Sequence, residues 1–169
     1  GLGIARAFTP HSEWVIATGA TDGEVEQARS SNPGLRFERL DVRDADAVEQ
    51  QVKAMGELDV VVNCAGVVRR GGLEHDPQVF AEVIDINLNG TMRVCAAARA
   101  GLKARGGCIV NTASMLSFFG GPLVPGYTAS KGGVAQLTKS LAVAYAEDGI
   151  RVNAIAPGWI ATPLTQALQ

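Results

Sequence analysis

Short runs rich in Val and Ile alternate along this chain with longer stretches of helical periodicity, and that alternation leaves few folds open. The runs are Trp14–Ala17, Leu35–Leu40, Leu58–Val62, Cys108–Asn111 and Ile150–Ile155; the helical stretches are Glu24–Ser31, Ala45–Met55, Pro77–Arg105 and Tyr127–Glu147. Most runs are apolar at consecutive rather than alternate positions, the pattern of strands buried on both faces. Strands that alternate with helices join through right-handed crossovers into a parallel sheet. The punctuation agrees: Asp44 can cap a helix from Ala45, Pro77 suits a first helical turn, and Gly149 ends a helix just before Ile150. The expected architecture is a single domain over residues 1–169, a doubly wound parallel α/β sheet with helices on both faces.

Composition narrows the function. With 47% hydrophobic and 19% charged residues the chain can fill a core, which excludes a disordered tail. Fifteen Lys and Arg against seventeen Asp and Glu leave a formal charge of −2. That is not the basic field that holds nucleic acid or an anionic membrane, and neither is an expected partner. The uncharged stretch Gly106–Ser130 is broken by Gly120, Gly121, Pro122, Pro125 and Gly126, and reads as strand plus loop rather than a membrane span. Cys64, Cys95 and Cys108 are odd in number and lack paired or metal-ligand spacing. All three read as small buried residues, no metal is expected, and a reducing cytoplasm is the default compartment. Twenty glycines without a fixed period are well above the usual level of about 7%, which points to tight turns and close backbone approaches.

Tyr127 and Lys131 stand at i and i+4, on one face of a helix. A neighbouring ammonium favours the phenolate, which brings proton exchange nearer neutral pH; a surface tyrosine packed beside a lysine stem has the same spacing. Ser114 follows the Cys108–Asn111 strand, and Asn63-Cys64-Ala65-Gly66 follows Leu58–Val62. Both lie at the carboxyl edge, where parallel sheets present ligand-binding groups, although a lone Ser there also suits a turn. Gly1-Leu2-Gly3-Ile4 reads as the tail of a glycine-rich turn entering a helix, and Gln169 comes soon after the Pro157-Gly158 turn. A first strand and a C-terminal piece are therefore expected to be missing from this chain.

Asn63-Cys64-Ala65-Gly66, Asn87 in Asp85-Ile86-Asn87-Leu88, Ser114, Tyr127-x-x-x-Lys131 and Pro157-Gly158-x-Ile160-x-Thr162 stand in the order and spacing of the short-chain dehydrogenase/reductase family. The chain resembles that family over essentially its whole length, and is similar in its Val15–Thr18 run to bacterial 3-oxoacyl-acyl-carrier-protein reductases. Gly1-Leu2-Gly3 resembles the end of the family's Thr-Gly-x-x-x-Gly-x-Gly turn. The resemblance implies a Rossmann-like fold and NAD(P)-dependent hydride transfer to or from a small carbonyl or alcohol substrate. It implies that Tyr127 is the general acid/base and that Lys131 lowers the Tyr127 pKa and holds the nicotinamide ribose. Ser114 would hydrogen-bond the substrate oxygen, and Asn87 would hold a water that relays protons to Lys131, a plainly exposed Asn being the alternative.

The same resemblance implies a cofactor surface. Backbone at Gly1, Leu2 and Gly3 would meet the pyrophosphate, and Asp41 the adenine amino group, with Val42 flanking the ring. Asp41 could instead cap the following helix. Asn63, Ala65 and Gly66 would line the adenosine ribose, and Ile160 and Thr162, in the turn with Pro157 and Gly158, the nicotinamide carboxamide. Thr18 stands where an NAD enzyme places an acid; Thr18 and Gly19-Ala20-Thr21 leave room for a 2′-phosphate with no Arg evident beside it, so the balance leans to NADP over NAD. Cys64 replaces the second Asn of the family's turn, and a homodimer or homotetramer through Asn89–Arg105 and Tyr127–Glu147 is implied. A non-catalytic nucleotide-binding or regulatory relative, or an inactive fragment, is the alternative; the intact Asn87, Ser114, Tyr127 and Lys131 set argues against it.

Overall fold

The computed structural model describes residues 1–160. Strands and helices alternate: α1 (Leu2–Phe8), β1 (Ile16–Gly19), α2 (Asp22–Ser30), β2 (Arg36–Arg39), α3 (Ala45–Ala54), β3 (Val60–Asn63), α4 (Pro77–Ile84), α5 (Gly90–Arg105), β4 (Cys108–Thr112), α6 (Pro125–Ala144) and β5 (Arg151–Ile155). Within the described residues the strands form two parallel ladders, β1 with β2 and β3–β4–β5. Ile16 pairs with Arg36 and Gly19 with Arg39; Asn63 pairs with Asn111, which in turn pairs with Ala154.

Burial of the strands is lower than their consecutive apolar residues suggest. Only β4 has a partner on both sides among the described residues, and it alone buries two positions completely, Ile109 and Asn111. In β3 only Asn63 is buried, and in β5 only Val152. A strand with one open edge admits solvent there. Trp14 is exposed, and β1 starts two residues beyond it.

The helix caps follow local chemistry. Thr21 and Glu24 form a reciprocal capping box at α2. The Asp44 carboxylate accepts from Ala47 N–H at 2.9 Å, so Asp44 and not Asp41 caps α3. Gly106 and Gly149 end helical segments at φ of 60° and 72°, conformations that favour glycine. The single helix expected over Pro77–Arg105 is interrupted: Asp85–Asn89 is a π-helical segment between α4 and α5. Apolar periodicity does not reveal such a one-residue widening.

The core gathers Leu40, Val48, Val52, Leu58, Leu102, Ile109, Leu141 and Ile150 between the β3–β4–β5 ladder and helices α3, α5 and α6. Burying a Leu or Ile such as Leu102 or Ile109, both at 0% exposure, contributes about 2–3 kcal/mol each. Helix α5 approaches the turn after α3 closely enough that a methyl group at Gly101 would lie 2.2 Å from the Gly56 carbonyl oxygen. Of the cysteines only Cys95 is buried; Cys64 and Cys108 are half-buried, contrary to expectation, because Cys64 follows the last residue of β3 and Cys108 stands at the start of β4. Among the described residues no helix is long and apolar enough to cross a membrane, and no cluster of three His, Cys, Asp or Glu could hold a metal ion.

Candidate active site

The carboxyl edge of the β3–β4–β5 ladder meets the first turns of α6, and Ser114, Tyr127, Lys131 and Asn87 converge there. Ser114 follows β4 and caps the 3-10 turn Met115–Ser117, accepting from Leu116 N–H at 3.2 Å. The Tyr127 phenol stands near enough to this hydroxyl for Ser114 to favour its ionised form. Ser117 ties this turn to α6 by donating to the Lys131 carbonyl at 2.7 Å. Lys131 is 4% exposed; its Nζ donates to the Thr112 carbonyl at 2.6 Å and stands 5.7 Å from the centre of the Tyr127 ring. The i, i+4 pair therefore does share a face, and that face is turned inward.

Asn87 lies in the π segment at 0% exposure, so an exposed Asn is ruled out. Its Oδ1 accepts from Val67 N–H at 2.8 Å, and its Nδ2 donates to the Val67 carbonyl at 2.9 Å and to Ser130 Oγ at 3.0 Å. One amide thus satisfies both backbone groups of the loop after β3 and anchors that loop to α6. These partners occupy both amide protons, which removes the side-chain donors from the expected water-holding role. Oδ1 nevertheless faces the space over Gly66, where a Cβ would stand 3.3 Å from it and 3.6 Å from Lys131 Nζ.

Burial dominates the electrostatics. It pulls the Lys131 ammonium down to about 8. The Tyr127 phenol is held above its ordinary value by burial and, to a lesser degree, by Glu74, against the lowering effects of the Ser114 hydrogen bond and the Arg70 charge. The expected lowering of the Tyr127 pKa by Lys131 is not what sets its direction here. Desolvation is the leading influence on both members of the pair.

The residues expected to line a dinucleotide divide into two groups. Gly1 starts α1 without a side-chain cap, beside Cys64, while Leu2 and Gly3 form its first turn, and nothing lies within 4 Å of a Cβ built at Gly3. Ala65 is exposed and Gly66 half-buried; Pro157 and Gly158 flank the Ser114 turn, with Met115 N–H bonded to the Pro157 carbonyl, and Ile160 is exposed beyond them. This open backbone and the absence of a Cβ at Gly66 fit a flat, phosphate-bearing ligand. Thr162 lies outside the described residues.

Three expected contacts are otherwise engaged. Asn63 turns its amide inward to Asn111 Oδ1 at 2.9 Å and Cys95 Sγ at 3.3 Å, and Asn111 continues to Thr138 at 3.0 Å. Its two side-chain donors are thereby used within the protein. Val42 is buried against Gly90, where a Cβ would meet its Cγ2 at 2.5 Å. Asp41 is paired with Arg43 at 2.6 Å, which holds its carboxyl below the usual range.

Sequence reading missed Arg39, Ser130 and Glu74. Arg39 sits opposite Gly19 in the parallel register and donates from Nε to the Ala20 carbonyl at 3.4 Å, which puts a guanidinium at the carboxyl end of β1. Counting register between the two strands would have found it. Ser130 bridges Asn87 to the Tyr127 carbonyl, donating at 2.8 Å. Glu74, 1% exposed, accepts from Arg69 N–H at 2.7 Å and from Tyr127 N–H at 2.6 Å; no local signal marks it.

Comparison with known proteins fits this geometry. The family model described as enoyl-(acyl carrier protein) reductase matches residues 1–169. The 2-dehydro-3-deoxy-D-gluconate 5-dehydrogenase of Bacillus subtilis is 39% identical, over all of this chain and 70% of that protein. A 3-oxoacyl-[acyl-carrier-protein] reductase of Chlamydia muridarum is 36% identical, over 99% of this chain and 72% of the relative. Among solved structures, a gluconate 5-dehydrogenase from Burkholderia cenocepacia in complex with NADP and tartrate superposes with a TM-score of 0.85 at 28% identity, covering 99% of this chain and 71% of that one. A structure from Beutenbergia cavernae described as an NAD(P)-dependent gluconate 5-dehydrogenase, with NADP bound at low occupancy, gives 0.86 at 36% identity, with 99% and 72% covered. With its parallel Rossmann-like strands, its helices and these relatives, the chain belongs to the short-chain dehydrogenase/reductase family of oxidoreductases.

Proposed function

We propose that this protein is an NAD(P)-dependent oxidoreductase that interconverts a carbonyl and a secondary alcohol, with Tyr127 exchanging the proton. The observation that carries this reading is the convergence of the Tyr127 phenol and Ser114, with the buried Lys131 ammonium 5.7 Å from the centre of the phenol ring. The nicotinamide, when bound, supplies or accepts the hydride. Ser114 Oγ then hydrogen-bonds the substrate oxygen as charge develops on it. Tyr127 donates its phenolic proton to that oxygen in reduction and takes it back in oxidation. Lys131 holds positive charge beside the phenol, and the Gly1–Gly3 and Gly66 backbones offer room for the dinucleotide. Because the phenol sits above its ordinary value, it is protonated at neutral pH, the form that donates; reduction is favoured there and oxidation gains as pH rises.

Arg39 beside the Ala20 backbone at the carboxyl end of β1 supports NADP over NAD, since a guanidinium there can meet a 2′-phosphate. Relatives named for 2-dehydro-3-deoxy-D-gluconate and for cis-4-hydroxycyclohexanecarboxylate support a substrate that carries a carboxylate beside its carbonyl or hydroxyl; the charge of Arg70, felt by Tyr127, suits such an anion. Three free thiols suit a cytoplasmic setting, and α5 and α6, which expose Met92 and Val143, are the faces for a homodimer or homotetramer. The test is loss of NADPH absorbance with a panel of ketones, including keto acids. Tyr127→Phe is expected to lose turnover by about a hundredfold or more while binding cofactor as the wild type does; a variant that turns over normally refutes the mechanism.

A further inference from the structure

We propose that Glu74 is a positioning residue for the Tyr127 proton transfer: its buried carboxylate grips the Tyr127 backbone N–H and so fixes where the phenol stands against Ser114. The proposal rests on the acid–base reading of Tyr127. Glu74 comes from the loop after β3, and its two oxygens are used separately, Oε1 by Arg69 N–H at 2.7 Å and Oε2 by Tyr127 N–H at 2.6 Å. At 1% exposure this is a buried acid held by charge-assisted hydrogen bonds to two backbone amides 58 residues apart in sequence. The first turn of α6 has no side-chain cap of its own, so this distant acid takes one of its orphan donors. A Cβ at Gly126 would stand 3.2 Å from Oε2, which shows how closely the carboxylate sits under the turn. His75 Nε2 and the Pro122 carbonyl, 2.9 Å apart, close the same loop on the segment leading into α6.

The charge has a second effect. The groups facing the phenol are Lys131 on its own helix, Arg70 and Glu74 from the loop after β3, and Ser114 from the end of β4. Glu74 is the anion among them, and it pushes the phenol toward its protonated form.

Two variants separate reach from charge. Glu74→Gln keeps the length but turns one acceptor into a donor and removes the charge; kcat is expected to fall about tenfold to a hundredfold, with the KM for cofactor little changed and the pH limb of kcat moved to lower pH. Glu74→Asp keeps the charge and loses the reach, so kcat falls while the pH limb stays. A folded Glu74→Gln protein with wild-type kcat and pH profile overturns the proposal. Hydrogen exchange on the wild type needs no variant. The Tyr127 amide is expected to exchange as slowly as amides inside α6, and exchange at the rate of a free first-turn amide also overturns it. If no substrate turns over, the acid–base reading falls by itself. The amide measurement and ultraviolet titration of the two tyrosines, Tyr127 and Tyr145, then decide whether Glu74 holds the phenol.

Discussion

Lys131 is expected to weaken the fold in which it is buried. Its ammonium is 4% exposed and donates to a single protein acceptor, the Thr112 carbonyl. Burial lowers it from 10.5 to about 8, which at about 1.4 kcal/mol for each pH unit costs about 3 kcal/mol of stability at neutral pH. Replacing it by the apolar Lys131→Met removes that cost and gives up one hydrogen bond, worth about 1 kcal/mol. The variant is therefore expected to be more stable by about 2 kcal/mol at pH 7, or roughly 4–8 °C in Tm for a chain of this size, although inactive. The sign with pH follows from the protons bound. Between about 8 and 10.5 the unfolded chain keeps a proton on this lysine that the folded chain has released, so wild-type stability climbs relative to the variant as pH rises. The gap is full below pH 8, shrinks above it, and by about 10.5 has reversed in favour of wild type by about the 1 kcal/mol of the hydrogen bond. Urea unfolding of both proteins, followed by circular dichroism across this range, tests it. A Lys131→Met protein less stable than wild type at pH 7, or a gap that does not narrow with pH, refutes the reasoning.

Arg39→Ala is expected to weaken NADPH binding by roughly tenfold to a hundredfold, the worth of a charged hydrogen bond, and to leave NADH binding unchanged; fluorescence titration with both cofactors checks it, and equal losses would sink the 2′-phosphate role. Gly101→Ala forces a methyl group to within 2.2 Å of the Gly56 carbonyl, so α5 must move off the turn after α3. A loss of about 1–3 kcal/mol should appear in a thermal melt.

What could be read from the chain depended on the range of the interaction. The alternation of apolar runs and helical periods specified the parallel strands and the order of elements, and the spacing of Tyr127 and Lys131 fixed their common helix face, because both are local. Glu74 was invisible for the opposite reason. In Gly71-Gly72-Leu73-Glu74-His75 an acid reads as a solvated loop residue, and it becomes buried only when α6 closes over it, 53 residues later. Asn87 was legible as a motif residue, but its bonds to Val67 and Ser130 depend on the π segment, which periodicity does not resolve. Strand burial was overread since an apolar run does not say whether both neighbours are in place. Arg39 needed the register of two strands before it could be set opposite Gly19.

Helix α6 carries the phenol near one end and Leu141, a core residue, near the other, about 21 Å apart at about 1.5 Å per residue. Ser130, Val134, Thr138 and Leu141 form one buried ridge between them, so the rod shifts as a whole. A change that lightens the core at Leu141, touching no reacting atom, can thus displace the phenol by a fraction of an ångström. Turnover becomes a long-range gauge of packing, and substitutions that lower it should line up through the interior instead of ringing the pocket.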